Sequence, residues 1–168
     1  LYLTAGSRRA AVALNPATGE LKWKYSLDEG KRFTNAPRQL SGRGLSYWTD
    51  GEKDRILFVT VGYRLVCLDA QTGLPVLDFG TNGIVDLKTE MDQEIDLTGE
   101  RVGDDIGLHS TVLVVGDVIV VGAAHLPGRA PFKRHVKGYV RGYDARTGKR
   151  LWIFHTIPRK GEFGHDTW

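Results

Sequence analysis

One short pattern, Asn/Asp-x-x-Thr-Gly, occurs at Asn15–Gly19, Asp69–Gly73 and Asp144–Gly148, each time behind an apolar run. An Asp or Asn side chain can accept a backbone N–H two residues on, Thr can brace the same bend, and Gly takes positive φ without a Cβ penalty. The pattern therefore predicts a hairpin with its turn written out. Four residues after the Gly stand Trp23 in the first copy, Leu77 in the second and Trp152 in the third. An indole brings a large apolar ring and one N–H that needs a partner when buried. It reads as a peg by which one unit docks on the next. The copies are unequally spaced, so the units carry insertions. β-Branched or apolar runs at Leu1–Thr4, Ile56–Val61 and Val118–Val121 precede them, which gives a unit of strand, strand, turn, strand.

The fold class implied is all-β and antiparallel. Gly116-Asp117 between two Val-rich runs predicts another hairpin, and strands this short and regular suit a sandwich, barrel or propeller. No segment sustains helical periodicity; Lys88–Arg101 reads as a loop excursion. The organisation expected is a unit tail at 1–27, a charged linker, a second unit at 41–80, an excursion at 81–107, a third unit at 108–158 and the start of a further segment at 159–168. The chain begins without Met and stops soon after Gly161-Glu162-Phe163-Gly164, so both ends read as cut from something longer.

Composition excludes more than it selects. The net charge of +3 is scattered apart from Arg129, Lys133, Arg134, His135 and Lys137, and no aromatics interleave there to stack on bases, so nucleic-acid binding is not expected. The lone cysteine, Cys67, sits in an alternating strand as a small buried hydrophobe. The carboxylates between Asp86 and Asp105 lack the spacing of a calcium loop. His125 and His135 flank a basic loop and make a poor metal pair. No metal ligand is assigned.

Two stretches carry candidate chemistry. Arg43 lies between Gly42 and Gly44, just ahead of Tyr47-Trp48. Flanking glycines allow a sharp bend and close approach, and a guanidinium fork suits a carboxylate. The residue types alone also fit a surface arginine in a turn. His109, Ser110 and Thr111 stand at the mouth of the Gly116-Asp117 hairpin. No carboxylate at triad spacing accompanies them, so on residue types a hydrogen-bonded strand end is the simpler account.

With the three turns, Arg43-Gly44-Leu45-Ser46-Tyr47-Trp48 and the closing GEFGHDTW together, the sequence resembles the pyrroloquinoline-quinone (PQQ) dehydrogenases of the quinoprotein alcohol and glucose dehydrogenase type. The resemblance covers nearly the whole chain. It implies about three of the eight four-stranded antiparallel blades of a β-propeller, joined by Trp-docking motifs. It implies part of an enzyme that oxidises an alcohol or aldose hydroxyl and passes electrons to a quinone or cytochrome acceptor. By the same resemblance, Arg43 reaches a cofactor carboxylate, and Ser110, with His109 and Thr111 beside it, contacts the cofactor. PQQ is a flat tricarboxylate, for which an Arg fork and hydroxyl donors are apt partners.

The departures also inform. Where the alcohol dehydrogenases place a vicinal cysteine pair, this chain has Pro37 and Arg38. Where they carry a calcium-binding Glu, it reads Ala124-His125-Leu126-Pro127-Gly128. Both favour the glucose-dehydrogenase-like branch, with a calcium or magnesium ion held largely by residues of the full-length protein. The general base and the tryptophan that stacks on the quinone are expected beyond Trp168. A periplasmic location follows from the resemblance, with any inner-membrane attachment made through other parts. A rival of another class is a non-catalytic propeller scaffold for protein assembly, in which Arg43 would face solvent or a blade-edge carboxylate. In a carbohydrate-binding propeller, Trp48 would be the aromatic at the funnel rim.

Overall fold

The computed structural model describes residues 1–6, 9–37, 39, 44–89, 91–93, 106–108, 110–125 and 136–167. Three antiparallel sheets follow one another along the chain. The first contains β1 (Tyr2–Ala5), β2 (Ala10–Leu14) and β3 (Leu21–Tyr25) in that order. The second is the meander β4 (Ser46–Thr49), β5 (Asp54–Val59), β6 (Arg64–Asp69) and β7 (Ile84–Asp86). A two-stranded ladder pairs β8 (Ile106–Gly107) with β11 (Ala124–His125). The third sheet is β9 (Leu113–Val115), β10 (Val118–Val121), β12 (Val140–Asp144) and β13 (Arg150–Phe154). The only α-helical element among the described residues is one turn in the linker, Lys31–Thr34.

The second sheet fills the middle. Its strands β5 and β6 are buried on both faces, which explains why they read as apolar runs rather than strict alternation. Ile56, Phe58, Val66 and Leu68 pack toward Ala11, Ala13 and Trp23 of the first sheet. Leu57, Val59, Leu65 and Cys67 pack toward Ile119, Val121 and Tyr143 of the third. Each large apolar side chain so buried contributes about 1.5–3 kcal/mol. This face-to-face stacking of short meanders is the blade packing of a partial propeller. Cys67 is fully buried, and that burial pushes its thiol up to about 12.

All three Asn/Asp-x-x-Thr-Gly segments form the expected turn. Asp69 Oδ1 accepts the backbone N–H of Gln71 (3.1 Å) and Thr72 (2.8 Å) and the Thr72 hydroxyl (2.7 Å). Asp144 Oδ1 does the same with Arg146 (3.0 Å), Thr147 (2.7 Å) and the Thr147 hydroxyl (2.8 Å). Gly19, Gly73 and Gly148 have φ of 72°, 73° and 72°. A bulge then sets Trp23 opposite Ala13, and a matching one sets Trp152 opposite Gly142.

Trp23 is docked as the sequence predicts. Its Nε1 donates to Ala70 O at 3.0 Å, and a Cβ on Gly73 would lie 2.5 Å from its ring. The second unit departs from expectation after its turn. A strand to Phe79 is absent; residues 77–82 fold out while Val76 N donates to Cys67 O and Cys67 N donates to Gly83 O. The sheet therefore ends on β7, past the expected limit at residue 80. The excursion has a use, because Leu77, which replaces the tryptophan, is exposed, and Phe79 goes to the next turn instead. Gly80 N donates to Thr147 O at 2.8 Å, and Arg55 donates to Ala145 O at 2.8 Å. Ala70 and Ala145 hold the same turn position, so one acceptor serves two different donors.

Candidate functional site

The register places every Asn/Asp-x-x-Thr-Gly turn at one end of the sheets, hereafter the turn end. The described candidate cofactor residues, Ser110 and Thr111, belong to the other, here called the far end, since they precede β9. Arg43 and His109 lie outside the described residues. Ser110 and Thr111 are described and exposed. The two segments meet: a Cβ on Gly44 would collide with the Thr111 side chain, and the Ser46 hydroxyl donates to Val112 O. Gly44 also has φ +142°, so both space and backbone call for glycine there. Pro37, in one of the positions where the resembling family has a cysteine, is buried against Gly107, whose Cβ would lie 3.3 Å from its ring.

Trp48 does not offer a rim aromatic. It is buried, with Arg55 and Arg146 each 5.1 Å from its ring and Nε1 donating to Asp117 at 3.1 Å. An indole in the first strand of the second sheet, facing the third, is worth more as packing than as a sugar platform. It stiffens the second interface, where Leu77 cannot.

Behind the site lies a set of buried polar groups that sequence reasoning missed. The Glu29 carboxylate, 2% exposed, accepts from the Thr60 hydroxyl (2.7 Å), Gly62 N (2.7 Å) and Arg64 (2.6 Å). Arg32 donates to Gly62 O and grips Asp86 with both terminal nitrogens, at 2.6 and 2.8 Å. Burial opposes ionisation of Asp86, but the hydrogen bonds and charge of Arg32 outweigh it, and its carboxyl titrates below the usual range. These bonds tie the linker to the Thr60–Tyr63 bend of the second sheet.

Two further residues stand in a backbone conformation unusual for their type. Arg9 and Tyr63 have φ of 52° and 66°, at the bends β1–β2 and β5–β6. Left-handed backbone costs a side-chain-bearing residue roughly 1–2 kcal/mol, whereas the turn end uses glycine in that role. Both side chains are buried. The Arg9 guanidinium donates to Val59 O (3.4 Å), Thr60 O (3.3 Å) and Leu108 O (3.3 Å). The Tyr63 hydroxyl donates to Gly122 O at 2.6 Å and accepts from the fully buried Arg141 at 3.0 Å. The only signal in the sequence was that a Tyr and an Arg occupied bend positions where Gly or Asn is usual.

The chemistry fits an anionic, oxygen-rich ligand: exposed hydroxyl-bearing residues at a strand mouth, a glycine that keeps the backbone approachable, and an arginine next to it in sequence. It does not supply a metal. Among the described residues no group of three or more His, Cys, Asp or Glu side chains could hold one. No helix among them is long and apolar enough to cross a membrane.

Residues 1–168 match the family described as "PQQ: Glucose/ethanol/alcohol dehydrogenase, beta-propeller domain". The chain belongs to this family. Within the PQQ propeller family it is similar to the glycerol dehydrogenase large subunit of Gluconobacter oxydans (strain 621H), 31% identical over 161 residues that cover 92% of this chain and 20% of that protein. It is also similar to quinoprotein glucose dehydrogenase A of Acinetobacter calcoaceticus, 30% identical over 86% of this chain and 19% of that protein. Among solved structures, quinohemoprotein alcohol dehydrogenase ADH-IIG of Pseudomonas putida superposes with a TM-score of 0.66 at 26% identity, over 93% of this chain and 19% of that one. The chain thus spans about a fifth of the length of the curated relatives it matches.

Proposed function

We propose that this chain forms part of a PQQ-dependent dehydrogenase acting on CH–OH groups, oxidising an alcohol or aldose hydroxyl and passing electrons to a quinone or cytochrome acceptor. The observation that carries the reading is the packing of Gly44 on Thr111, which joins the two sequence segments expected to bind the cofactor. The named relatives, which include glycerol, glucose and alcohol dehydrogenases, support it. A calcium or magnesium ion would complete the full-length protein, and a periplasmic setting suits such an enzyme.

Arg43 pairs its fork with a cofactor carboxylate, which a planar, permanently charged group does bidentately. Ser110 and Thr111, with His109 beside them, donate hydrogen bonds to cofactor oxygens and fix its orientation. When bound, PQQ supplies the quinone that accepts hydride from the substrate carbon. The far-end clamps of Glu29, Arg32 and Asp86 hold the start of the linker against the second sheet.

Reconstitution of the full-length protein with PQQ and a divalent ion, followed by dye-linked oxidation of an alcohol and sugar panel, tests this. PQQ-dependent dye reduction is expected with at least one substrate, and Arg43→Ala should raise the PQQ concentration required. A full-length protein that neither binds PQQ nor reduces dye with any substrate contradicts the assignment.

A further inference from the structure

Arg9 and Tyr63 form a pair with a common purpose. Each occupies the left-handed position of a far-end bend, and each sends a buried side chain onto a carbonyl bordering the β8–β11 ladder. Leu108 O, held by Arg9, follows β8 and stands two residues before Ser110. Gly122 O, held by Tyr63, stands two residues before β11. Ala124 pairs with Gly107, so these carbonyls border the same end of the ladder. The first and second sheets thereby grip, from outside, the segment that delivers the hydroxyls of Ser110 and Thr111.

The contrast with the turn end makes the choice of residue informative. There Gly19, Gly73 and Gly148 take the same backbone conformation at no steric cost, and nothing is asked of a side chain. Asn82 and Asp92, the other non-glycine residues with positive φ among the described residues, are types that tolerate it. Arg and Tyr are not such types, and strain of this kind persists where the surroundings over-determine it. The surroundings here are a guanidinium spanning three carbonyls and a phenol wired between Gly122 O and Arg141, whose guanidinium also lies 5.6 Å from the Tyr63 ring.

We propose that Arg9 and Tyr63 are positioning residues of the cofactor site: they fix the 106–108 and 122–125 backbones so that Ser110 and Thr111 are presented to the cofactor in one arrangement. This rests on the reading of the far end as the PQQ site. Neither residue touches the cofactor. Both act through Leu108 and Gly122.

The test uses the full-length protein with Tyr63→Phe, which keeps the ring and removes the hydroxyl, and Arg9→Gly, which removes the guanidinium while suiting the backbone. Two readouts are needed: hydrogen exchange of amides 106–108 and 122–125 without cofactor, and PQQ affinity by quenching of tryptophan fluorescence. Tyr63→Phe should speed exchange at 122–125 and weaken PQQ binding about five-fold, the worth of one hydrogen bond, with kcat at saturating PQQ unchanged. Arg9→Gly should do the same at 106–108, with exchange in β10 unaltered. Unchanged exchange in these segments, or faster exchange with unaltered PQQ affinity, overturns the proposal. A wild-type protein that does not bind PQQ removes the underlying reading and this role with it, a result distinct from wild-type binding that the variants leave intact.

Discussion

The two ends of the sheets are built by opposite means. At the turn end, Asp69 and Asp144 bond to residues two and three positions on, through the same atoms and at nearly the same distances. At the far end, Glu29 reaches Thr60, Arg32 reaches Asp86, Arg9 reaches Leu108 and Tyr63 reaches Gly122, and no two of these clamps are alike. The turn end is exposed and locally closed, so each turn contributes about 1 kcal/mol per net hydrogen bond. The far-end groups are buried and most carry a charge, where an unmatched partner costs several times more. The end that stacks repeats its parts; the end proposed to hold a ligand differentiates them.

The sharpest way to break the comparison is through the tryptophan that docks on the turn end of the next sheet. Trp23→Ala should destabilise the full-length protein by about 3–5 kcal/mol in denaturant unfolding, since it empties the seat at Ala70 and Gly73. Trp23→Phe should cost only about 1 kcal/mol, for the lost bond to Ala70 O. A small effect from the alanine variant would show that the docking seen here is incidental.

Asp86→Ala comes next, at about 3 kcal/mol, because Arg32 stays buried without its carboxylate. The same pair has a pH signature. The folded Asp86 carboxyl titrates below its unfolded value, so its contribution is complete above about pH 4 and is lost as pH falls through the folded value. Asp86→Asn should therefore be less stable at pH 7 and lose less between about pH 4 and 2 than the wild type, and parallel pH–stability curves would refute the coupling.

Asp144→Ala should cost about 1 kcal/mol, with faster hydrogen exchange confined to residues 145–149. Smallest of all, Cys67 should stay unmodified by a thiol reagent at pH 8 until the protein unfolds, as its thiol is buried and shifted to about 12. Rapid labelling of the native protein would mean that the interface over β6 opens.

What the sequence disclosed follows the same division. The turns, the Trp23 peg, the Val-rich hairpin and the burial of Cys67 were legible because each is decided within a few residues, or by a pattern repeated at the next copy. The displaced fourth strand of the second sheet was not, because Leu77 and Phe79 exchange roles only in view of the Gly148 turn beyond them. Glu29 and Arg32 read as ordinary linker charges, since nothing nearby in sequence reveals the Thr60–Tyr63 bend they hold. Trp48, the rim aromatic that a carbohydrate-binding propeller would need, is instead closed in by Arg55, Asp117 and Arg146. Of the candidate site, Ser110 and Thr111 were singled out by the resemblance and by their place ahead of a hairpin. The contact of Thr111 with Gly44 required the fold.

The account turns on which end receives the cofactor. Titration of the full-length protein with PQQ, followed by tryptophan fluorescence, should compare wild type with Thr111→Val at the far end and Thr147→Val at the turn end. The account predicts about five-fold weaker binding for Thr111→Val and none of that loss for Thr147→Val. Equal affinities for the two variants, or a loss confined to Thr147→Val, would contradict it.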